Sequence, residues 1–124
     1  GAYYNYYTVA TGNLCPDGWH VATESEWQTL LDYLGSEPGR KLKFHGEQLY
    51  QDYNETGFSL LMEGYRASGN GVFARGGEWN WLWIGGADAS QGYSYAKKFE
   101  DDSHGVEHDL NSNQMGFSVR CMLD

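Results

Sequence analysis

Basic residues, prolines and long apolar runs are scarce in this sequence, and each scarcity excludes something. The chain has 8 lysines and arginines against 17 aspartates and glutamates, for a formal net charge of −9. Nucleic acids and anionic membranes select basic surfaces, so we expect neither as a partner. No apolar run approaches the roughly 20 residues of a transmembrane helix, so we expect no membrane insertion of this domain. Only 2 prolines beside 17 glycines indicate tight turns rather than disorder.

Cysteine is also scarce, and its two copies lie near opposite ends of the chain. Cys15 opens the sequence Cys-Pro-Asp-Gly-Trp-His, and Cys121 closes Gly-Phe-Ser-Val-Arg-Cys. A bond between them would close a loop of roughly 100 residues, which chain-entropy arguments value at about 4–5 kcal/mol. Such a bond would indicate an oxidising compartment. The alternative is a pair of reduced cysteines that pack as small apolar side chains.

Length and apolar content are those of one domain. The chain has 124 residues, of which 40% are hydrophobic, enough to bury a single core. Much of this apolar mass is aromatic, because 10 Tyr, 5 Trp and 5 Phe are present. We expect residues 1–124 to form one domain excised from a larger surface protein.

The clearest secondary-structure signal predicts a helix over residues 24–34. Thr23 and Glu26 have the spacing of a capping box, in which each side chain covers a free backbone N–H. Gly35 is a typical left-handed end. Apolar residues recur on one helical face, at Trp27, Leu30, Leu31 and Leu34.

Most other segments are aromatic, β-branched or alternating, which indicates short strands. Residues 2–10 predict the first strand, and Ser68-Gly69-Asn70-Gly71 predicts a hairpin turn. Further strands are predicted at 58–62, 79–83, 93–96, 104–110 and 117–123. One early helix followed by many short strands predicts an α+β fold.

Several motifs together resemble the Fibrobacter succinogenes major paralogous domain family. Its members begin with Cys-Pro-x-Gly-Trp-His, continue through an acidic-Trp helix ending in Tyr-Leu-Gly, and close on Gly-Phe-Ser-Val-Arg-Cys. One departure is visible, since Ile84-Gly85-Gly86 follows Trp83 where members usually carry Ser-Ser-Thr. The matching blocks stand in the family's order at Cys15 to His20, Glu26-Trp27, Tyr33-Leu34-Gly35, Lys41-Leu42-Lys43, Gly57-Phe58-Ser59, Gly64-Tyr65-Arg66, Trp83, and Gly116 to Cys121.

The resemblance implies a C-type lectin-like fold with one main N-terminal helix, short antiparallel strands and long loops. In such folds the first and last strands pair, which supports a bond between Cys15 and Cys121. The family occurs in surface lipoproteins and secreted proteins of Bacteroidetes and Fibrobacteres, so the expected location is extracellular or at the bacterial cell surface. The same fold carries the variable proteins of diversity-generating retroelements, and some gut-bacterial examples look like this family.

Patterns typical of catalysis are incomplete. His104-Gly105-Val106-Glu107-His108 fits a zinc-peptidase pattern, which requires both histidines on one helical face. The internal glycine and polar flanks indicate a loop or strand instead. Formylglycine-generating chemistry would need reactive cysteines, which a disulfide would consume. We therefore expect no enzyme activity, no cofactor and no metal.

Calcium-dependent sugar binding is not supported either. Glu37-Pro38 and Trp79-Asn80 begin motifs of lectin calcium sites, but neither motif is complete. Asp101 and Asp102 remain candidates to hold a calcium ion with backbone oxygens, or to be solvated loop residues.

Aromatic and short polar residues concentrate between residues 77 and 113. Tyr and Trp offer large contact areas at low entropic cost, and short polar side chains adapt hydrogen bonds around them, as in a paratope. For Trp79 and Trp81, a place in the core is an equally good interpretation. The predicted ligand-binding residues are Trp79, Trp81, Tyr93, Tyr95, Asp101, Asp102, His104, His108, Asn111 and Asn113.

The sequence therefore predicts a non-catalytic adhesion or recognition domain that binds a protein or a glycan. Its face at about 77–113 is a candidate for retroelement diversification, because many of its residues are reachable by mutating adenines in Asn codons. The alternative is a structural or assembly module of a surface lipoprotein or pilus. A metal-dependent or formylglycine-generating-type enzyme is the third hypothesis.

Overall fold

The described part of the chain contains three short helices and three small antiparallel sheets, joined by long loops. This computed structural model describes residues 2–44 and 53–124. The sheets have the strand orders β1–β7, β2–β3 and β4–β5–β6, and the predicted α+β class is confirmed. In chain order the elements are α1 (Tyr6–Ala10), β1 (Trp19–Val21), α2 (Glu24–Leu34), α3 (Pro38–Leu42), β2 (Tyr65–Arg66), β3 (Phe73–Ala74), β4 (Trp79–Trp83), β5 (Tyr93–Glu100), β6 (Glu107–Ser112) and β7 (Cys121–Leu123).

Helix α2 begins and ends where its sequence predicts. The capping box is formed, and the backbone N–H of Thr23 donates to Glu26 Oε2 at 2.8 Å. Gly35 ends the helix with a φ of 67°, a conformation that glycine adopts without a Cβ penalty. Trp27 and Leu34 point from this helix into the core.

The predicted strand over residues 2–10 is wrong, because residues 6–10 form helix α1. Asn5 caps this helix through its side-chain oxygen. Tyr4 keeps an extended pairing, as an isolated bridge to Phe117. Tyr6 is fully buried, and tertiary packing here overrides the β-propensity of a ring-rich segment.

The two ends of the domain are joined by strand pairing and by a disulfide. β1 pairs with β7, with Val21 opposite Cys121. Cys15 and Cys121 form a disulfide that spans 106 residues of sequence. The predicted bond is therefore confirmed, as is the pairing of the first and last strands, although the first strand is β1 rather than residues 2–10.

Other predicted strands are displaced or shortened. Residues 58–62 form no strand, and only Leu60 makes an isolated bridge, to Lys43. The strand expected at 104–110 is β6, which begins at Glu107, and that expected at 117–123 is reduced to β7. The hairpin is confirmed, because β2 and β3 pair across the predicted turn.

Strand β4 lies between two hydrophobic cores. Leu82 packs with Trp27 and Phe99 on the side of helix α2. Trp81 and Trp83 pack in the other core, with Tyr6 and Phe117 among others. Strand β4 is therefore buried on both faces, although β5 is the middle strand of the sheet.

His20 of β1 links this strand to helix α2 and to the C-terminal residue. Its Nδ1 lies 2.6 Å from Asp124 Oδ1, and its Nε2 lies 2.7 Å from Glu26 Oε1. The bond with Asp124, and then the bond with Glu26, raise the pKa of His20 above its usual value. The pKa of Glu26 is lowered, chiefly by the backbone N–H of Thr23.

We expect the double variant Cys15→Ser/Cys121→Ser to lose about 4–5 kcal/mol of unfolding free energy, because the bond closes a long loop. Urea denaturation of the purified protein measures this loss. Wild type treated with a reductant is the matched control and should lose the same amount. A loss below about 1 kcal/mol would show that the disulfide is not the main constraint on the unfolded chain.

We expect His20→Asn to reduce stability more near pH 6 than near pH 9. Because the folded pKa of His20 is raised, its contribution is fully present below the unfolded pKa and is lost as pH rises through the folded pKa. Urea denaturation at both pH values measures the difference. Asp124→Asn should weaken the same pH dependence, and equal losses at both pH values would contradict the assignment.

Candidate functional site

The sheet β4–β5–β6 has two faces that carry different aromatic residues. Trp83 lies opposite Ala96 in the sheet, and Ala96 is the neighbour of Tyr95 in sequence. Since side chains alternate along a strand, the tryptophans of β4 and the tyrosines of β5 lie on opposite faces. The tryptophan face is defined by Trp79, Trp81 and Trp83, and the tyrosine face by Tyr93, Tyr95, His108 and Leu110. The predicted binding residues are thus divided between two sides of one sheet and the turn beside it.

The tryptophan face is largely interior. Trp83 is fully buried, and its Nε1 donates to the Tyr4 carbonyl oxygen at 2.7 Å. Trp81 is 6% exposed and stacks on Phe117 with ring centroids 5.2 Å apart. Its Nε1 donates to Asp109 Oδ2 at 3.0 Å. Trp81 therefore belongs to the core and offers no ring surface to a ligand.

Trp79 is half-buried, and cationic side chains cover its ring. The Arg75 guanidinium lies 4.5 Å from the ring centroid, and the Lys98 ammonium lies 4.4 Å from it. These cation–π contacts occupy ring surface that a ligand would otherwise stack on. Asn111, on the same side of the sheet, donates to Asp109 Oδ2 at 2.9 Å.

Asn113 has a structural role. Its side chain is fully buried, accepts a hydrogen bond from Ser94 Oγ at 2.6 Å and donates to the Ala89 carbonyl oxygen at 3.1 Å. Its backbone oxygen accepts from the N–H of Tyr6. Like Trp81, Asn113 is removed from any exposed binding face, because a buried amide must satisfy its hydrogen bonds internally.

The tyrosine face borders a groove of about 770 Å³. Tyr93 is 60% exposed, Tyr95 47% and Leu110 53%. Isolated exposed apolar residues are ordinary, but a contiguous aromatic and aliphatic patch over a groove is typical of a binding site. The lining residues come from α1, the start of α2, the segment after β4, and strands β5 and β6: Tyr6, Thr23, Glu24, Ser25, Ile84, Gly85, Gly86, Ala87, Asp88, Gln91, Tyr93, Ser94, Tyr95, His108 and Leu110.

Charged groups form one end of this tyrosine groove. The buried Lys97 ammonium donates to Glu24 Oε1 at 3.1 Å and lies 3.2 Å from His108 Nδ1. The His108 ring stacks on Tyr95 with centroids 4.1 Å apart. These contacts hold Tyr95 and His108 in place and connect the groove to the first turn of α2. The surface that a ligand would contact is therefore preorganised.

The turn after β5 is built around a buried lysine. The Lys43 ammonium donates to the carbonyl oxygens of Glu100, Asp101 and Ser103 at 2.7, 3.3 and 2.5 Å. Burial lowers the pKa of Lys43, against the opposing effect of the carboxylates of this turn, including Asp102. The ammonium therefore binds the same backbone oxygens that a calcium ion at Asp101 and Asp102 would use.

His104 lies apart from His108 and has different partners. Its Nδ1 is 3.1 Å from Glu37 Oε1, and its Nε2 is 3.0 Å from the Tyr53 hydroxyl. The pKa of Glu37 is lowered, chiefly by His104. Strand β6 begins at Glu107, so the zinc-peptidase helix is absent from this region. Within residues 2–44 and 53–124 no group of three His, Cys, Asp or Glu is arranged to hold a metal ion.

Comparison with known proteins identifies the family. The family described as the Fibrobacter succinogenes major domain matches residues 1–122. The chain belongs to this family. No curated protein and no solved structure matches the chain.

One glycine of the segment after β4, Gly85, borders the groove. Gly85 donates its backbone N–H to the Ala22 carbonyl oxygen at 2.9 Å. A Cβ at this position would lie 2.5 Å from the Val21 carbonyl oxygen, inside any allowed contact. Glycine therefore lets the segment after β4 lie directly against the segment between β1 and α2, which sets that wall of the groove.

Of the ten predicted residues, the structure brings Tyr93, Tyr95 and His108 together at the groove. Sequence reasoning missed Glu24, Leu110 and the buried Lys97. Side chains alternate between the two faces of a strand, and this alternation could have indicated the missed residues. Once β5 and β6 are paired, it places residues 93, 95, 97, 108 and 110 on one face. The register of that pairing is not readable from the sequence.

We expect Lys43→Met to lose about 2–4 kcal/mol of unfolding free energy, because it leaves buried carbonyl oxygens without donors. Urea denaturation measures the loss. Lys41→Met is the matched control, since the Lys41 ammonium bonds one carbonyl oxygen, that of Leu34, and should lose less. Equal losses in the two variants would contradict a special role for Lys43.

Proposed function

We propose that this domain is a non-catalytic recognition module that binds its ligand in the tyrosine groove. The observation that carries the proposal is the exposure of Tyr93 and Tyr95, side by side on one face of β5 over the groove. Tyrosine combines a large apolar surface with a polar tip and is enriched in recognition surfaces. Loss of solvent from these rings on binding would supply much of the affinity.

The electrostatics of the groove favour a neutral or cationic ligand. Glu24 and Asp88 are its described acidic lining residues; the Lys97 ammonium pairs with Glu24, whereas Asp88 forms no ion pair with a described residue. Asp88 accepts hydrogen bonds from the backbone N–H and the hydroxyl of Ser90, which lower the pKa of its carboxyl. This carboxylate therefore keeps its negative charge at the rim into mildly acidic solution.

Binding rather than catalysis is the proposal because of how the titratable groups are used. His108, which contributes an imidazole to the groove, stacks on Tyr95 and lies against Lys97 and Glu24. An imidazole held in this way supports a neighbouring ring. Both polar contacts are made by Nδ1, and no described hydroxyl or thiol lies in hydrogen-bond contact with Nε2, where a general base would need a nucleophile or substrate.

We assign the domain to the C-type lectin-like folds and place it outside the cell or at the bacterial cell surface. Support comes from the paired strands β1 and β7 and from the disulfide between Cys15 and Cys121, a bond typical of oxidising compartments. No described helix is long and apolar enough to cross a membrane. The ligand is a partner protein or a glycan at that surface.

We also propose that the groove residues of the segment 77–113 are diversified by a retroelement. The groove is lined by several residues of this segment: Asp88, Gln91, Tyr93, Tyr95 and His108. Substitutions among them would change the ligand that binds and leave the β1–β7 pairing and its disulfide unaltered. Sequencing of the parent locus tests the idea. A locus without a reverse transcriptase or a template repeat would remove diversification and leave the binding proposal intact.

We expect the double variant Tyr93→Ala/Tyr95→Ala to bind at least about tenfold more weakly to ligands selected from a glycan array or a linear-peptide display library, because two exposed rings are lost. Titration calorimetry measures the affinity, and thermal unfolding confirms the fold. Tyr33→Ala is the matched control, since Tyr33 is 85% exposed on α2 and lies outside the groove. Equal affinity of the two variants, or no binder in either screen, would favour the structural-module alternative.

A further inference from the structure

Within residues 2–44 and 53–124, no strand pairs with the outer edge of β6. In its sheet β6 pairs with β5 only. The Tyr95 carbonyl oxygen accepts a hydrogen bond from the N–H of Ile84 at 3.2 Å, so the backbone groups of Tyr95 point toward β4. Backbone direction alternates along a strand, and Ala96 therefore bonds toward β6, where it lies opposite Asp109.

The same alternation turns the backbone groups of His108 and Leu110 outward, away from β5. No described residue donates to or accepts from these backbone groups, and both residues are exposed. Their side chains line the tyrosine groove. The edge and the groove thus share His108 and Leu110 and form one continuous surface.

Acidic side chains on β6 do not block this edge from the groove side. Glu107 and Asp109 lie on the tryptophan face of the sheet. Glu107 is 3.8 Å from the Lys98 ammonium, and Asp109 accepts from Trp81 Nε1. The edge strand contains neither lysine nor proline, the residues that commonly protect exposed edges from pairing.

We propose that an extended segment of a partner protein adds to β6 as a fourth strand and lays alternate side chains over the tyrosine groove. This inference rests on the proposed function, since it names the partner class for the same groove. In strand addition the main-chain hydrogen bonds supply affinity, and pockets for alternate side chains supply specificity. Here the pockets lie beside Tyr95 and Leu110.

Charge sets the chemistry of that segment. The domain carries a net charge of −9, and the side chains of an added strand that alternate with those over the groove fall on the tryptophan face, beside Glu107 and Asp109. The partner strand is therefore basic, with apolar residues alternating with lysine or arginine. A second copy of this chain is disfavoured as the occupant, because two strongly acidic domains repel each other.

The probe is a capped synthetic decapeptide in which valine alternates with lysine. Its matched control is the same peptide with every internal backbone nitrogen methylated, which keeps the charge and the side chains but removes the donors. We expect the methylated peptide to bind the wild-type domain at least about tenfold more weakly in titration calorimetry, because edge pairing is lost. Exchange of the His108 and Leu110 amides should slow only with the parent peptide.

The protein-side test is Leu110→Pro against Leu110→Ala. Proline removes an outward N–H and leaves the β5–β6 hydrogen bonds in place, whereas alanine keeps that N–H. We expect proline to weaken binding of the parent peptide about tenfold and alanine to weaken it less. If Leu110→Pro does not fold, the methylated peptide and the amide exchange still decide the question.

Three results would overturn strand addition. One is equal binding of the parent and methylated peptides, which would reduce the contact to charge attraction. Another is concentration-dependent dimerisation in analytical ultracentrifugation that Leu110→Pro abolishes, which would make a second copy the occupant. The third is saccharide binding that Tyr93→Ala/Tyr95→Ala abolishes, with no peptide binding, which would leave the proposed function of the groove intact.

Discussion

The packing of Phe117 against Trp81 and Trp83 is the contact on which the rest of the structure depends. Its ring lies 5.2 Å from the Trp81 ring and 4.5 Å from the Trp83 ring. Its backbone pairs with Tyr4. This one residue therefore joins the N-terminal segment and strand β4 to the segment that leads into β7. Because this core fills the tryptophan face, the groove lies on the opposite face of the same sheet, beside the part that packs against α2.

The turn after β5 shows how the domain stabilises an acidic loop with its own side chain. Three carbonyl oxygens converge on the Lys43 ammonium, which is buried beneath Asp101 and Asp102. A buried charge is tolerated when such acceptors surround it. The loop is therefore held by a residue near the end of α3, and α3 itself is docked on this turn through Gly39, whose N–H donates to the His104 carbonyl oxygen.

Much of the secondary structure and part of the candidate site were predictable from local sequence. The capping box at Thr23, the stop at Gly35 and the hairpin turn before β3 are short-range signals, and each forms as expected. The segment 2–10 was misread, because an Asn5 cap and burial of Tyr6 outweigh its strand propensity. Among the residues of the candidate site, the sequence pointed to Tyr93, Tyr95 and His108 from local composition.

The sequence by itself determined the α+β class, the main helix, the family and the concentration of rings in the later half of the chain. Only the tertiary structure decided which rings face outward. Tryptophan and tyrosine have similar local preferences, so Trp81 is distinguished from Tyr95 only by strand register and by the core that covers one face of the sheet. The groove likewise exists only where Glu24, Gly85 and Leu110 meet, and no short-range pattern joins residues so distant along the chain.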